Sequence, residues 1–308
     1  MQEVQENVPL APLTTFGIGG NARYLVDVRS EGECKEAIQW ASDKGLKFVV
    51  FSGGSNVLIP DGGLNALVIR LKGDLYGVEN GMVDAWAGTH LLTLIRSVGK
   101  QSLGGWEKLA GIPGNIGGAV RGNAGAFGSE MKDFVVKVRA LNTNTQEVKE
   151  FSNEECVFSY RHSFFKDHPE WLITRAYIKL SGVAPEENEK LIEETIAERE
   201  RRHLQNVKAA GSYFMNPVAP QEVIEQFEQE KGVKSREGRV PAGWLIEKAG
   251  LKGHRVGGAI ASEQHPNYIV NTGDATAHDV ANLAQVIKLE VFLKFNIELQ
   301  EEAAILRL

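Results

Sequence analysis

Cys34 and Cys156 are the only cysteines in 308 residues, too few for a disulfide framework or a cysteine metal cage. No apolar run approaches the ~18 residues of a membrane span. The opening MQEVQENVPL has neither the basic nor the apolar region of a secretion signal. A reduced, cytoplasmic protein is the expectation. Seven histidines are scattered, with no His-x-x-x-His pair and no cysteine partner nearby, so no metal site is expected. A net charge of −6 and a pI near 5.8 argue against nucleic acid as the main partner, because phosphate-backbone binding needs clustered cations. The one short basic run, Arg199, Arg201 and Arg202, is interleaved with Glu198 and Glu200 and reads as a solvated helix face.

The composition, 43% apolar and 24% charged, is that of a soluble globular chain, long enough for two or three domains. Glycine is the exception, because it is abundant in one place. Nine of the 25 residues from Gly104 to Gly128 (GGWEKLAGIPGNIGGAVRGNAGAFG) are glycine. Glycine costs backbone entropy, so such density needs a cause, either tight turns in a sheet or a ligand approaching bare backbone. Ile112, Ile116, Val120 and Phe127 run through it and predict packed loop and short helix rather than linker.

Two more glycine loops flank predicted strands. Thr14 to Ala22 (TTFGIGGNA) fits a loose dinucleotide fingerprint, but it leads into the alternating ARYLVDV, whereas the fingerprint must leave a strand and open a helix. Ser52 to Asn56 (SGGSN) follows the β-rich LKFVVF; it lacks the Lys-Ser/Thr of a P-loop and the second glycine of a nucleophile elbow. Bare N–H groups at strand ends suit phosphate oxygens, which suggests a non-Rossmann way of holding a diphosphate.

Between and after them the spacing predicts ordinary elements. Ser30 and Glu33 form a capping box for a helix with Cys34, Ala37, Ile38 and Ala41 on its buried face. Leu91–Val98 is helical, and Val135–Asn142, Thr145–Phe151 and Trp171–Leu180 read as strands of one sheet. Glu186–Leu204 is a charged helix bridging domains, with Leu191, Ile192, Thr195 and Ile196 on one face. Thr276 and Asp279 cap a long helix carrying Val280, Leu283, Ile287, Val291 and Phe292, which leads into a last strand, Ile297 to Leu308. Arg161 lies among aromatics in FSYRHSFFK and is either paired with a fixed anion or part of a surface ion pair.

Taken together, TTFGIGGNA, SGGSNVLIPDGG, LAGIPGNIGGAVRGNAGAFG, FSYRHSFF, AGSYFMNP and AGWLIEKAGLKG resemble the UDP-N-acetylenolpyruvoylglucosamine reductase family over nearly the whole chain and in the family's order. The resemblance implies an α+β protein: a two-part FAD-binding region of the vanillyl-alcohol-oxidase type plus an α+β substrate-binding domain. The corresponding division is 1–70 with the terminal strand 297–308, then 71–200, then 201–296 for substrate. It implies non-covalent FAD and NADPH as cofactors, and UDP-N-acetylglucosamine enolpyruvate as the substrate reduced to UDP-N-acetylmuramate in peptidoglycan precursor synthesis. By the same resemblance FAD is held by Ser52, Gly53, Gly54, Ser55, Asn56, Gly111, Pro113, Gly114, Gly117, Gly118, Asn123, Ala124 and Gly125. Hydride passes from NADPH through the flavin to C3 of the enolpyruvyl group, with Arg161 polarising the substrate carboxylate, Ser212 donating a proton to C2 and Glu302 assisting. Tyr160, Arg161, Asn216, Gln264 and His265 match substrate-binding positions. Met215 stands where the family often has a basic residue. Glu301 and Glu302 are adjacent, and alternation lets only one face the flavin; Glu302 is expected. The short interval from Arg161 to Ser212 resembles the subclass without an extra substrate-covering loop, with Tyr213 or Tyr268 a candidate to take its part.

Overall fold

Ser30 opens the first helix as its spacing predicts, its hydroxyl accepting from the Glu33 N–H at 3.2 Å. In the computed structural model, which describes residues 3–202 and 207–306, this helix follows two strands. β1 (Gln5–Pro9) pairs antiparallel with β2 (Asn21–Val28), and α1 (Glu31–Asp43) then buries Cys34, Ala37, Ile38 and Ala41. β3 (Phe48–Phe51), the short β4 (Val57–Leu58) and β5 (Leu64–Leu71) follow, and the sheet order is β1-β2-β5-β3. β2 and β3 run parallel to β5, the central strand. Six of its eight residues are buried, as a parallel strand covered on both faces requires. Val68 faces the smaller core with Leu25 and Phe51, while Leu67, Ile69 and Leu71 face the large core under α1.

That large core continues into a second, antiparallel sheet. β6 (Tyr76–Glu79) and β7 (Met82–Trp86) are followed by α2 (Leu91–Gly99), β8 (Leu103–Gly104) and the short α3 (Ile116–Arg121). β9 (Gly125–Ala126) and β10 (Ser129–Glu130) form a small hairpin. β11 (Val135–Asn142), β12 (Val148–Ser152), α4 (Phe164–Asp167), β13 (Trp171–Lys179) and β14 (Ser181–Gly182) complete the unit, with sheet order β12-β11-β13-β7-β6. α5 (Pro185–Arg202) packs on α2 and on the turn at Glu107–Leu109. Its buried face holds Ile192 but not Leu191, which is exposed. Its predicted end at Leu204 lies outside the described residues, as do the last two residues of the chain.

The third core is built from α6 (Gln221–Lys231), α7 (Ala242–Lys248), a small sheet of β15 (Arg255–Val256), β16 (Ala259–Ala261) and β17 (Ile269–Asn271), and α8 (Ala277–Phe295). α8 buries Val280, Leu283, Ile287 and Val291; Phe292, expected on that face, is 42% exposed. Asn296 ends the helix in a left-handed conformation, φ 54°. The continuous terminal strand expected from Ile297 is not formed. Among the described residues of this segment only β18 (Ala304–Ile305) is regular, parallel to β4, while Glu301 makes an isolated bridge to Phe214. The segment is drawn between two partners, which breaks a single ladder. Among the described residues no helix is long and apolar enough to cross a membrane.

The first and third units are tied by a helix cap supplied across the chain. Beside the Thr276–Asp279 capping box, the Asp61 carboxylate accepts from Ala277 N–H at 2.7 Å and His278 N–H at 3.1 Å. A carboxylate satisfying two orphan donors at a helix start is worth about 1–2 kcal/mol. Asp61→Ala should therefore lower unfolding free energy in urea by about that much, with Asp61→Asn recovering part of it. A loss near zero would show the cap to be energetically silent.

Candidate active site

Three loops meet at strand ends. Ser52–Asn56 follows β3, Ala87–His90 follows β7, and Gly111–Asn115 precedes α3. A Cβ on Gly53 would lie 2.8 Å from Gly114 Cα, and one on Gly114, whose φ is +112°, 2.8 Å from Ser55 Oγ. The first and third loops are thus in backbone contact that only glycine permits. Asn115 Nδ2 donates to Ser52 Oγ at 2.6 Å and Gly88 O at 2.8 Å, Ser55 Oγ donates to Pro113 O at 3.2 Å, and Leu91 N–H to Gly114 O at 3.0 Å. Asn115 and the middle loop were not singled out from sequence; a lone Asn-x-Gly-Gly carries no signal until the loops are seen together. The N–H groups of Gly53, Gly54, Ser55 and Gly118 donate to no described residue. Such a row of free backbone donors fits a diphosphate.

The other glycines there serve packing. A Cβ on Gly111 would meet Arg199 Cδ at 2.4 Å, on Gly117 the Ala87 Cβ at 2.9 Å, and on Gly125 the Glu130 Cγ at 2.8 Å. Ala124 is tied to α3, its N–H donating to Ala119 O at 2.8 Å, and its O accepts from Met131 N–H at 2.9 Å. Asn123 is fully buried with its amide committed: Nδ2 donates to Glu130 Oε2 and Ser159 O, each at 2.8 Å, and Oδ1 accepts from Lys132 N–H at 3.0 Å.

Asn123 thereby anchors the turn that carries Arg161. Ser159 and His162 exchange both backbone hydrogen bonds at 3.1 Å, which leaves Tyr160 and Arg161 at the tip, with Arg161 at φ +56°. Arg161 Nε lies 3.0 Å from Glu302 Oε1, and one Nη2 proton goes to Gly125 O at 2.9 Å. Of five guanidinium protons, three stay available. Of the two readings of Arg161, an ion pair is present, with both side chains about four-fifths covered. Glu301 turns the other way, 2.7 Å from Lys288 on α8.

Glu302 is surrounded by cations. Burial pushes its carboxyl above the ordinary glutamate value near 4.5, against the pull of Arg161, Lys166 and Arg199. Burial likewise lowers Lys166, with the neighbouring Arg121 adding to the effect, and burial lowers Arg199 and Arg121. The solvated-face reading of the basic run is corrected here. Arg201 is exposed and pairs with Glu198, but Arg199 points inward, its stem over Gly111 and its charge felt by Tyr268 and Glu302. Lys166, Arg121 and Arg199 were not expected as site residues; along the chain they look like any surface cation.

The third unit supplies the opposite wall. Gly211, at φ +71°, precedes Ser212, which is half-buried with its hydroxyl bonded to no described residue. Tyr213 N–H donates to Asn267 O at 2.7 Å, and Glu302 N–H to Tyr213 O at 2.8 Å, so Ser212 and Glu302 belong to hydrogen-bonded neighbouring segments. Tyr213 cannot cover a substrate: it is 1% exposed, in the core with Phe16 and Phe214. Tyr268 stays at the site, within electrostatic reach of Arg199 and Glu302. Asn216 is used structurally, Oδ1 accepting from Ala242 N–H at 3.0 Å, while its own N–H approaches Tyr160 Oη at 3.4 Å. His265 packs edge-on against Tyr268, 4.8 Å between centroids, whereas Gln264 is exposed in the same turn and no contact joins it to Arg161. Met215 N–H is bonded to Gln300 O at 2.9 Å. Among the described residues no cluster of His, Cys, Asp and Glu could hold a metal.

A mixed, mostly parallel sheet joined to an antiparallel one, with glycine loops at their junction offering free N–H groups, is an FAD-binding region of the vanillyl-alcohol-oxidase type, here followed by an α+β domain. Residues 22–152 match the FAD binding domain family, and residues 202–306 match the C-terminal domain of UDP-N-acetylenolpyruvoylglucosamine reductase. The chain is 36% identical to the protein of that name from Solibacter usitatus, covering 97% of this chain and 95% of that one. It is 38% identical to the one from Carboxydothermus hydrogenoformans, covering 98% and 94%. The crystal structure of the reductase from Thermus caldophilus superposes with a TM-score of 0.78 at 32% identity, covering all of both chains. The chain belongs to the UDP-N-acetylenolpyruvoylglucosamine reductase family.

Two expectations follow. A Cβ on Gly118 meets nothing within 4 Å, whereas one on Gly54, at φ +61°, would strike Leu13 O at 2.1 Å. Gly118→Val should leave the melting temperature of flavin-stripped protein unchanged and yield colourless preparations; Gly54→Val should lose both flavin and stability. Full flavin content in Gly118→Val would remove this loop from the cofactor site. The second concerns Glu302. Its raised pKa means the folded state holds a proton that the unfolded state has released, so its penalty is fully present above the raised value and is relieved as pH falls toward 4.5. The stability of Glu302→Gln relative to the parent should accordingly rise with pH across that window, measured by urea unfolding of stripped protein. A change of the opposite sign would mean the carboxyl is held ionised.

Proposed function

We propose that this chain reduces UDP-N-acetylglucosamine enolpyruvate to UDP-N-acetylmuramate with NADPH, using non-covalently bound FAD, as a step in peptidoglycan precursor synthesis in the cytoplasm. The observation that carries the reading is the group of Arg161, Lys166 and Arg199 around the Glu302 carboxylate, beside loops with free backbone donors. The excess positive charge is matched to an anionic substrate. We assign residues 1–70 with 297–308 and residues 71–200 to the two FAD-binding parts, and residues 201–296 to substrate, without an extra covering loop.

When bound, FAD supplies a relay that accepts hydride from NADPH and delivers it to C3 of the enolpyruvyl group. The free N–H groups of Gly53, Gly54, Ser55 and Gly118 would hold its diphosphate. Arg161 uses its remaining protons to grip the substrate carboxylate, which takes up negative charge as C3 gains hydride. A planar fork suits that carboxylate better than a point charge. Ser212 donates the proton to C2. Glu302 orients Arg161 through their 3.0 Å contact and assists in stabilising the charge that develops.

The two half-reactions are separable by stopped-flow absorbance at the flavin band. Ser212→Ala should leave reduction by NADPH nearly intact and slow reoxidation by the enolpyruvyl substrate by ~10²–10⁴-fold. Arg161→Lys should impair the same step at saturating substrate. Unchanged reoxidation in Ser212→Ala would remove the serine from the mechanism, and equal slowing of both steps would point to a displaced flavin.

A further inference from the structure

Arg161 occupies a conformation that its side chain disfavours. A left-handed residue with a Cβ costs about 1–2 kcal/mol, and it persists only where its surroundings over-determine it. Within its own unit the turn is held by Asn123 Nδ2 on Ser159 O at 2.8 Å and by Lys166 Nζ on Arg161 O at 2.7 Å. The Arg161 side chain is held by Glu302 and Gly125 O, and a further restraint comes from the third unit and acts on Tyr160. The Arg239 guanidinium carbon lies 4.3 Å from the centre of the Tyr160 ring, and Asn216 N–H approaches the phenol oxygen at 3.4 Å.

Arg239 is itself rigidly mounted. It closes a tight turn with Arg236, its neighbour Val240 donates to Pro217 O at 3.0 Å, and its Nη1 donates to Asn216 O at 2.9 Å. Its Nε is buried with no hydrogen-bond partner among the described residues, and the Glu237 carboxylate stands 3.9 Å away and is mostly exposed. Beside its bond to Asn216 O, this cation meets the face of Tyr160, an interaction that strengthens as it is desolvated.

We propose that Arg239 is a positioning residue. By clamping the Tyr160 ring it locks the Tyr160–Arg161 turn in its left-handed form and aims the Arg161 fork at the substrate carboxylate. The third unit thus seats the arginine of the second. This inference rests on the substrate reading above.

The test uses FAD-loaded enzyme, NADPH and UDP-N-acetylglucosamine enolpyruvate. At saturating substrate, Arg239→Ala should slow flavin reoxidation about 10–100-fold, the scale of a misplaced catalytic group. Flavin content, melting temperature and the rate of reduction by NADPH should match the parent. Arg239→Lys, which keeps a cation over the ring, should restore part of the rate. In an Arg161→Ala background, adding Arg239→Ala should change reoxidation by about twofold at most, because the two act through one device. Full additivity there would overturn the proposal, as would an effect on KM alone, which would make Arg239 a direct substrate ligand. Failure of the unaltered enzyme to reoxidise with this substrate would remove the functional reading and the proposal with it. Normal reoxidation in that control, with additive variants, would remove the Arg239 assignment only.

Discussion

The burial of one carboxylate among several cations is the constraint on which the rest of the site depends. Glu302 comes from the end of the chain, Arg161 from the turn before α4, and Arg199 from the inner face of α5. A buried ion pair gains little net stability, because desolvating two charges offsets most of their attraction. Here Arg161, Lys166 and Arg199 all act on the one Glu302 carboxylate, so cations outnumber it. An anionic substrate resolves that imbalance. The arrangement is thus costly when empty of charge and favourable when an anion enters, which is the sense expected of a binding site rather than of a structural pair.

Glycine shapes the site in two distinct ways. Gly53 and Gly114 let two loops touch backbone to backbone, and Gly117 lets α3 sit against Ala87. These are packing requirements, and they would exist without a ligand. Gly118 is different, because space stands open in front of it. The local density of glycine therefore reports both a tight junction and a bare surface, and the two causes cannot be told apart along the chain.

Some expectations failed for reasons of the same kind. Arg199 alternates with acids along α5, so its pattern is that of a solvated face; only the approach of Gly111 and Tyr268 turns it inward. Tyr213 sits next to Ser212 and invites a role over the substrate, yet hydrogen bonds to Asn267 and Glu302 pull its backbone so that the ring enters the core. The terminal segment has the alternation of a strand but is shared between Phe214 and β4, and most of it forms no regular ladder.

Local periodicity and capping determined much by themselves. The Ser30 and Thr276 helix starts, strands β11, β12 and β13 and the Glu301–Glu302 alternation are all short-range properties of neighbouring residues, and they appear where the sequence puts them. The motifs in their order were also sufficient to place the chain in its family. Tertiary structure alone decided which charges face one another. Arg161 and Glu302 are 141 positions apart, and Tyr160 and Arg239 are 79 apart. Nothing in a one-dimensional pattern couples residues so distant, because their encounter is set by how three hydrophobic cores pack rather than by any local preference.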